Sequence, residues 1–269
     1  MTLLTITSEQ LIASINSDNQ QLVSLTYNGK ELLHGGGRPG SEQQPEDRKG
    51  WAQTELVMFP IVGPARDNKL FVNGTTYPMG QHGISRHLPW NQVEKTRSSI
   101  LYVQEYLANT PVPNSKLPTP MSWPSSFRIT KKYSLEYNTL TASFTITNIG
   151  EAPMQFMFGW HPAFKLPADL ESITMTSPKI TVDDIRVASL SSAYFTKNNP
   201  IQCSDGETTI KVSSDMGNFM LWIPADPVLL CIEPVTDILD KKGYETLPKT
   251  SPTLESGKSL DYTVRISVQ

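Results

Sequence analysis

Two places in this 269-residue chain set a titratable side chain against a proline at the end of an apolar run. Val228-Leu229-Leu230-Cys231-Ile232 leads into Glu233 and then Pro234. Met154-Gln155-Phe156-Met157-Phe158 leads through Gly159 and Trp160 into His161 and then Pro162. Both runs are too short for an independent helix and read as buried strands. A carboxylate at the end of such a strand leaves water for a low-dielectric place, which is costly unless it has partners or a task. Pro234 has no N–H and is expected to stop the sheet ladder. Gly159 lets the backbone bend, and Pro162 ends the strand one residue past the histidine. A carboxylate and an imidazole fixed in this way can take and deliver protons. The same positions suit a structural carboxylate held by backbone donors or a basic partner, and a hydrogen-bonded core histidine. The two residues alone leave both readings open.

The remaining chemistry-bearing residues are few. Besides His161 the histidines are His34, His82 and His87, and His82 stands in Gln81-His82-Gly83-Ile84-Ser85-Arg86. Two histidines and Glu233 could make a metal triad, but no His-x-His or His-Glu-x-x-His spacing exists, so no metal is expected. No Gly-x-Ser-x-Gly elbow occurs, and no glycine-rich loop joins a strand to a helix. The three glycines after His34 read as a flexible loop, and no cofactor is called for. Cys203 and Cys231 are too few for a disulfide scaffold, and Cys231 reads as a small apolar residue of its strand.

These residues must be positioned by sheets. Only 18% of residues are charged and 21 prolines stand beside 16 glycines, which favours frequent turns over charged helix faces. Residues 22–27 meet Asn28-Gly29, and residues 70–72 meet Asn73-Gly74, both strong hairpin turns. Alternating segments follow at 100–106, 127–135, 140–147, 173–175, 179–182, 208–212, 218–223 and 262–268. Residues 8–15 are the best short helix candidate. Strand after strand without helices predicts an all-β protein, a large antiparallel β-sandwich in a single domain over 1–269. The polar, glycine-rich stretch 35–51 and the proline-rich stretch 108–126 read as long functional loops.

A formal charge of −3 and a pI near 5.8 argue against a nucleic-acid partner. The first residues lack a basic region and an apolar stretch of signal-peptide length, and no stretch has the length of a membrane span. The expectation is a cytoplasmic protein without membrane partners, monomeric or homodimeric.

Four blocks carry a family resemblance. Met58-Phe59-Pro60-Ile61-Val62-Gly63 is the first. Asn73-Gly74-x-x-Tyr77-Pro78-Met79-Gly80-Gln81-His82-Gly83-Ile84-Ser85-Arg86 with Trp90 is the second. Gly159-Trp160-His161-Pro162-Ala163-Phe164 and Cys231-Ile232-Glu233-Pro234-Val235-Thr236 complete the set. In this order they resemble the aldose 1-epimerase (galactose mutarotase) superfamily over nearly the whole chain, most closely its shorter bacterial branch. The resemblance implies a galactose mutarotase-like supersandwich and a carbohydrate isomerase. It gives His161 as general acid, Glu233 as general base, and His82 as a substrate-binding residue. Arg66 stands two residues after Pro64, which replaces the arginine that many relatives carry directly after the Phe-Pro block. Arg86 and Trp160 complete the expected substrate contacts. The family's additional binding aspartate has no match beyond Asp226, and His34-Gly35-Gly36 imitates a family signature at the wrong place.

Interconverting α and β anomers requires a proton removed from O1 and one delivered to the ring oxygen. A base and an acid suffice, with no cofactor. On this reading Glu233 is ionised and His161 protonated when sugar binds, and the two stand about 5–8 Å apart, one on either side of the ring. Phe59, Trp90, Trp123 and Trp160 could offer aromatic faces. A hexose-6-phosphate epimerase gripping its phosphate through Arg66, Lys69, Arg86 or Arg128 is the alternative substrate class. A non-catalytic carbohydrate-binding protein is the alternative outside enzymes.

Overall fold

The computed structural model describes residues 2–36, 38, 49–237 and 243–269. Strict alternation decides most of its elements. In Phe127–Glu136 and Thr139–Asn148 every second side chain is buried, the two-residue period of a sheet with one face on a core. These strands lie at the centre of an eight-stranded antiparallel sheet. Its order is Thr174–Ser177, Ile201–Ser204, Thr209–Ser214, Ser259–Val268, Thr139–Asn148, Phe127–Glu136, Ser99–Tyr106 and Asn91–Lys95.

A second sheet carries both apolar runs. Leu229–Val235 is buried at every position and pairs with Asn218–Trp222 on one side. On the other side it pairs with Gly159–Trp160 and Ala163–Lys165. Aromatic rings close the space between the sheets. Phe144 meets Phe158 at 5.2 Å, Phe158 stacks on Tyr262 at 5.3 Å, and Phe59 meets Phe127 at 4.5 Å between centroids. This is a sandwich of antiparallel sheets. Offset and edge-to-face pairs of this kind add to the area they bury.

Both Asn-Gly hairpins form, with Asn28 and Gly29 at φ 48° and 84° and Asn73 and Gly74 at φ 49° and 82°. Two local expectations fail. Residues 8–15 hold no helix: Leu11–Asn16 is a strand between Leu3–Thr7 and Leu22–Tyr27, burying Leu11, Ala13 and Ile15. Residues 179–182 hold no strand, because Thr181 caps the helix Val182–Ser189. Thr181 Oγ1 accepts from the Asp184 amide at 3.1 Å, and the Asp184 carboxylate accepts from the Thr181 amide at 2.8 Å. That reciprocal box was visible as Thr-x-x-Asp, a helix start signal that outweighs a short alternation. No helix among the described residues is long and apolar enough to cross a membrane.

A charged cluster is embedded in the sandwich. Glu55, 1% exposed, accepts from Lys131 Nζ at 3.0 Å, Tyr133 Oη at 2.6 Å and the Leu22 amide at 3.0 Å, and also from the Trp160 indole. Lys131 lies over the Trp90 ring at 4.7 Å. A buried carboxylate held by so many donors keeps its place without solvent.

Candidate active site

Gly159 is demanded by close packing. A Cβ there would stand 2.6 Å from Met58 Cε and 2.9 Å from Val235 Cγ1. With no side chain in the way, Gly159 pairs with Met58 and Val235 at once, so the segment after it is held against Leu229–Val235. His161 and Pro162 interrupt the ladder between Gly159–Trp160 and Ala163–Lys165. The His161 amide donates to Leu56 O at 3.0 Å, which anchors the histidine to a third segment.

Pro234 does not end its strand, contrary to the sequence expectation; Leu229–Val235 runs past it. On that edge the Ile232 amide reaches Pro162 O and the Thr236 amide reaches Phe158 O. Alternation turns the Pro234 nitrogen toward the same edge, where the His161-Pro162 interruption stands opposite. A missing N–H is tolerated there.

His161 Nε2 stands 3.4 Å from Glu233 Oε1, with the residues 7% and 1% exposed. The expected 5–8 Å separation is therefore too long: the two groups sit side by side on neighbouring strands, with no room for a ring between them. They form the floor of a cavity of about 420 Å³ shared with His82, Arg86, Trp51 and Trp222. Trp51 lies against the His161 ring at 4.5 Å and 32°, and Trp222 approaches edge-on at 6.5 Å.

His82 enters from a tight loop. It adopts φ 65°, and the next residue, Gly83, has φ 74° with its would-be Cβ 2.2 Å from Phe59 O. Its amide donates to Gly63 O at 2.8 Å, and the Gly63 amide donates to its Nδ1 at 3.1 Å. With Nδ1 accepting, the neutral ring carries its proton on Nε2. The ring stands edge-on to His161 at 5.5 Å. Burial, then the neighbouring His161 and Arg86, hold His82 well below the ordinary histidine range.

The protonation of the pair differs from the charged forms expected from sequence. Burial raises the Glu233 carboxyl well above its usual range. Burial, and secondly the Arg86 charge, lower His161 to about 3. A carboxylic acid beside a neutral imidazole carries the same single proton as a carboxylate beside an imidazolium. Among the described residues, Glu233 Oε2 and His161 Nδ1 have no hydrogen-bond partner.

Of the other expected contacts, Arg86 lines the cavity, and no carboxylate pairs with it among the described residues. Arg66 does not line it; its guanidinium is taken by Glu245 and by Gly243 O at 3.4 Å. Trp160 is fully buried and turned to the opposite face, its indole given to Glu55. Strand alternation explains this, since residues 160 and 161 face opposite sides. Trp123 is buried in the core, and Trp90 covers Lys131 in an adjoining recess. Asp226 pairs with Lys49 at 3.2 Å. His34 is buried outside the cavity and bonds to Trp51 O at 2.8 Å. Lys69 is exposed, and Arg128 pairs with Glu105 at 2.5 Å.

Sequence reasoning missed Trp51, Trp222 and Lys116 as cavity residues. Lys116 comes from the proline-rich loop 108–126, which thus reaches the site as expected of a functional loop. Of the other loop, 35–51, residues 37 and 39–48 lie outside the described residues. Trp222 is the strand partner of Cys231, two positions from Glu233, a pairing set by the register of the two strands and not by any local pattern.

Comparison with known proteins agrees with this fold. A sequence model of the aldose 1-epimerase family matches residues 65–205. A galactose mutarotase-like protein from Lactobacillus casei superposes over 100% of both chains with a TM-score of 0.81 at 18% identity. A galactose mutarotase related enzyme from Lactobacillus acidophilus covers 100% of this chain and 97% of its own, with a TM-score of 0.77 at 20% identity. A galactose mutarotase-like protein from Clostridium acetobutylicum gives 0.72 at 14% identity over 99% and 95% of the two chains. At these identities the likeness is one of fold. None of the curated proteins matches the sequence.

Proposed function

This chain belongs to the aldose 1-epimerase family, and from that premise we propose that it interconverts the α and β anomers of a hexose by acid/base ring opening. The observation that carries the reading is the His161–Glu233 contact of 3.4 Å on the floor of a cavity large enough for one sugar. The hydroxyl O1 and the ring oxygen are bonded to the same anomeric carbon. Two proton-transfer groups side by side can therefore address both oxygens from one direction.

The pair holds one proton in total. In the resting protein burial places it on Glu233; one transfer across the contact gives a Glu233 carboxylate and a His161 imidazolium. Sugar hydroxyls donating to the free Oε2 favour that charged form. Glu233 then takes the O1 proton while His161 gives its proton to the ring oxygen. The C1–ring-oxygen bond breaks and C1 becomes an aldehyde. The pair is left as carboxylic acid and neutral imidazole, its starting proton count. Rotation about C1–C2 and the reverse transfers close the other anomer. His82 Nε2–H is the donor that orients the sugar, and Trp51 offers a face to its C–H surface.

A phosphorylated hexose is favoured as substrate by one further observation. Arg86 and Lys116 both line the cavity, and neither has a carboxylate partner within 4.0 Å among the described residues. Polarimetry on freshly dissolved α-glucose, α-galactose and glucose 6-phosphate decides among the readings. Acceleration of a neutral sugar supports the free-sugar enzyme, and preference for glucose 6-phosphate supports the second substrate class. Binding without acceleration of any of them would return the protein to the carbohydrate-binding class.

A further inference from the structure

Cys231 and Glu233 lie two residues apart on a fully buried strand and project to the same face. His161 reaches that face from the interrupted neighbouring strand. The thiol sulfur, a Glu233 oxygen and a His161 ring nitrogen all lie within 4.8 Å of one another. Zinc bound tetrahedrally by such donors, at 2.0–2.3 Å, needs them roughly 3.3–3.7 Å apart. His161 and Glu233 already meet that spacing at 3.4 Å, and the thiol sulfur lies within 4.8 Å of both.

A second observation points to the same ligand. Glu233 is 1% exposed, yet its Oε2 has no partner among the described residues. A core that leaves a carboxylate oxygen unpartnered beside an imidazole and a thiol has the donor set of a soft-to-borderline cation. Calcium and magnesium, which require six or more oxygens, do not fit.

We propose that His161, Cys231 and Glu233 form a binding site for a thiophilic divalent cation of the zinc class, and that its occupancy shuts off proton transfer by the same histidine and glutamate. The Cys231 thiol proton and the proton resting on Glu233 both leave to solvent as the metal bonds to sulfur and oxygen form, and His161 ligates as the neutral imidazole. Thiolate and carboxylate together then neutralise the dication. Two of the three ligands, His161 and Glu233, border the cavity together with Trp222 and Met220. The blocking of turnover rests on the function proposed above; the metal site does not.

Cadmium titration of the full chain, followed by its ultraviolet thiolate-to-metal charge-transfer band, reads the site without activity. One cadmium per chain and a band that persists in Cys203→Ser but vanishes in Cys231→Ser are expected. Cobalt(II) bound to the unmutated chain should give the intense visible bands of a tetrahedral thiolate complex. This reading needs no variant. No thiolate band, a band surviving Cys231→Ser, or an octahedral cobalt spectrum overturns the site. Zinc should lower anomerisation by wild type at least tenfold, reversed by chelator, while Cys231→Ser, unimpaired without metal, resists. Equal inhibition of both overturns the blocking role. A cadmium band in a protein that anomerises no sugar would leave the site standing and remove the proposed function.

Discussion

Glu233 and His161 are both held in their neutral forms by burial, and the stability of the molecule should show it. Glu233 has a folded pKa above its unfolded value of 4.5, so the folded chain keeps a proton the unfolded chain loses. Its contribution is complete below pH 4.5 and falls as pH rises toward the raised value. His161 has a folded pKa of about 3 against 6.5 unfolded, so its contribution falls as pH drops from 6.5 toward 3. The two effects oppose each other between 4.5 and 6.5; above that window Glu233 alone acts. Glu233→Gln cannot ionise, so its melting temperature should exceed that of wild type by a margin growing with pH. The corresponding slope is at most about 1.4 kcal/mol per pH unit. Thermal unfolding between pH 4 and pH 9 checks this, and a margin independent of pH would mean Glu233 ionises freely in the fold. His82→Ala removes the Nε2 donor but no proton-transfer group. It should raise KM more than it lowers kcat, in kinetics on whichever sugar proves to be turned over, with a lowered melting temperature because the buried Gly63 amide loses its acceptor. At this scale the pair was legible in the prolines that follow each residue. Their direct contact was not legible, because it depends on the register of strands seventy residues apart.

The elements that hold the pair depend on backbones packed where no side chain fits. Gly83 combines φ 74° with a would-be Cβ 2.2 Å from Phe59 O, so Gly83→Ala must displace the loop that presents His82. Gly159→Ala meets Met58 and Val235 side chains at 2.6 and 2.9 Å, contacts that can give. Gly159→Ala should cost about 1–3 kcal/mol in denaturant unfolding. Gly83→Ala should cost more, with loss of sugar binding, since its clash is with backbone; the reverse order would contradict this account of the two glycines. The hairpins at Asn28-Gly29 and Asn73-Gly74 were legible because type I′ turns need those residues. The Leu11–Asn16 strand was not, since its six residues fit either period until the flanking strands are in place. Trp160 was misassigned for the same reason: only the face of the strand, set by its neighbours, separates a core indole from one that touches substrate.

Over the whole molecule, the β-sandwich followed from repeated alternation and turn residues, and the buried charge cluster between its sheets did not. The pattern of Phe127–Glu136 does place Lys131 on the inward face, a signal that went unread. Lys131→Met should destabilise the fold by about 3–5 kcal/mol, because it strands the Glu55 carboxylate, and Glu55→Gln added to it should recover much of that loss. Urea unfolding of the single and double variants tests the coupling; additive losses would show that the two charges do not depend on each other. The cluster lies behind Trp160 and so supports the strand that carries His161, which links the core to the site. The central claim is that His161 and Glu233 together move the protons of ring opening. It is tested most directly by the polarimetric relaxation of fresh α-glucose and α-glucose 6-phosphate with wild type and Glu233→Gln. Wild type should accelerate at least one of them, and Glu233→Gln, folded and binding sugar within about tenfold of wild type, should lose at least ~10²-fold in rate. Full activity in folded Glu233→Gln would contradict the account.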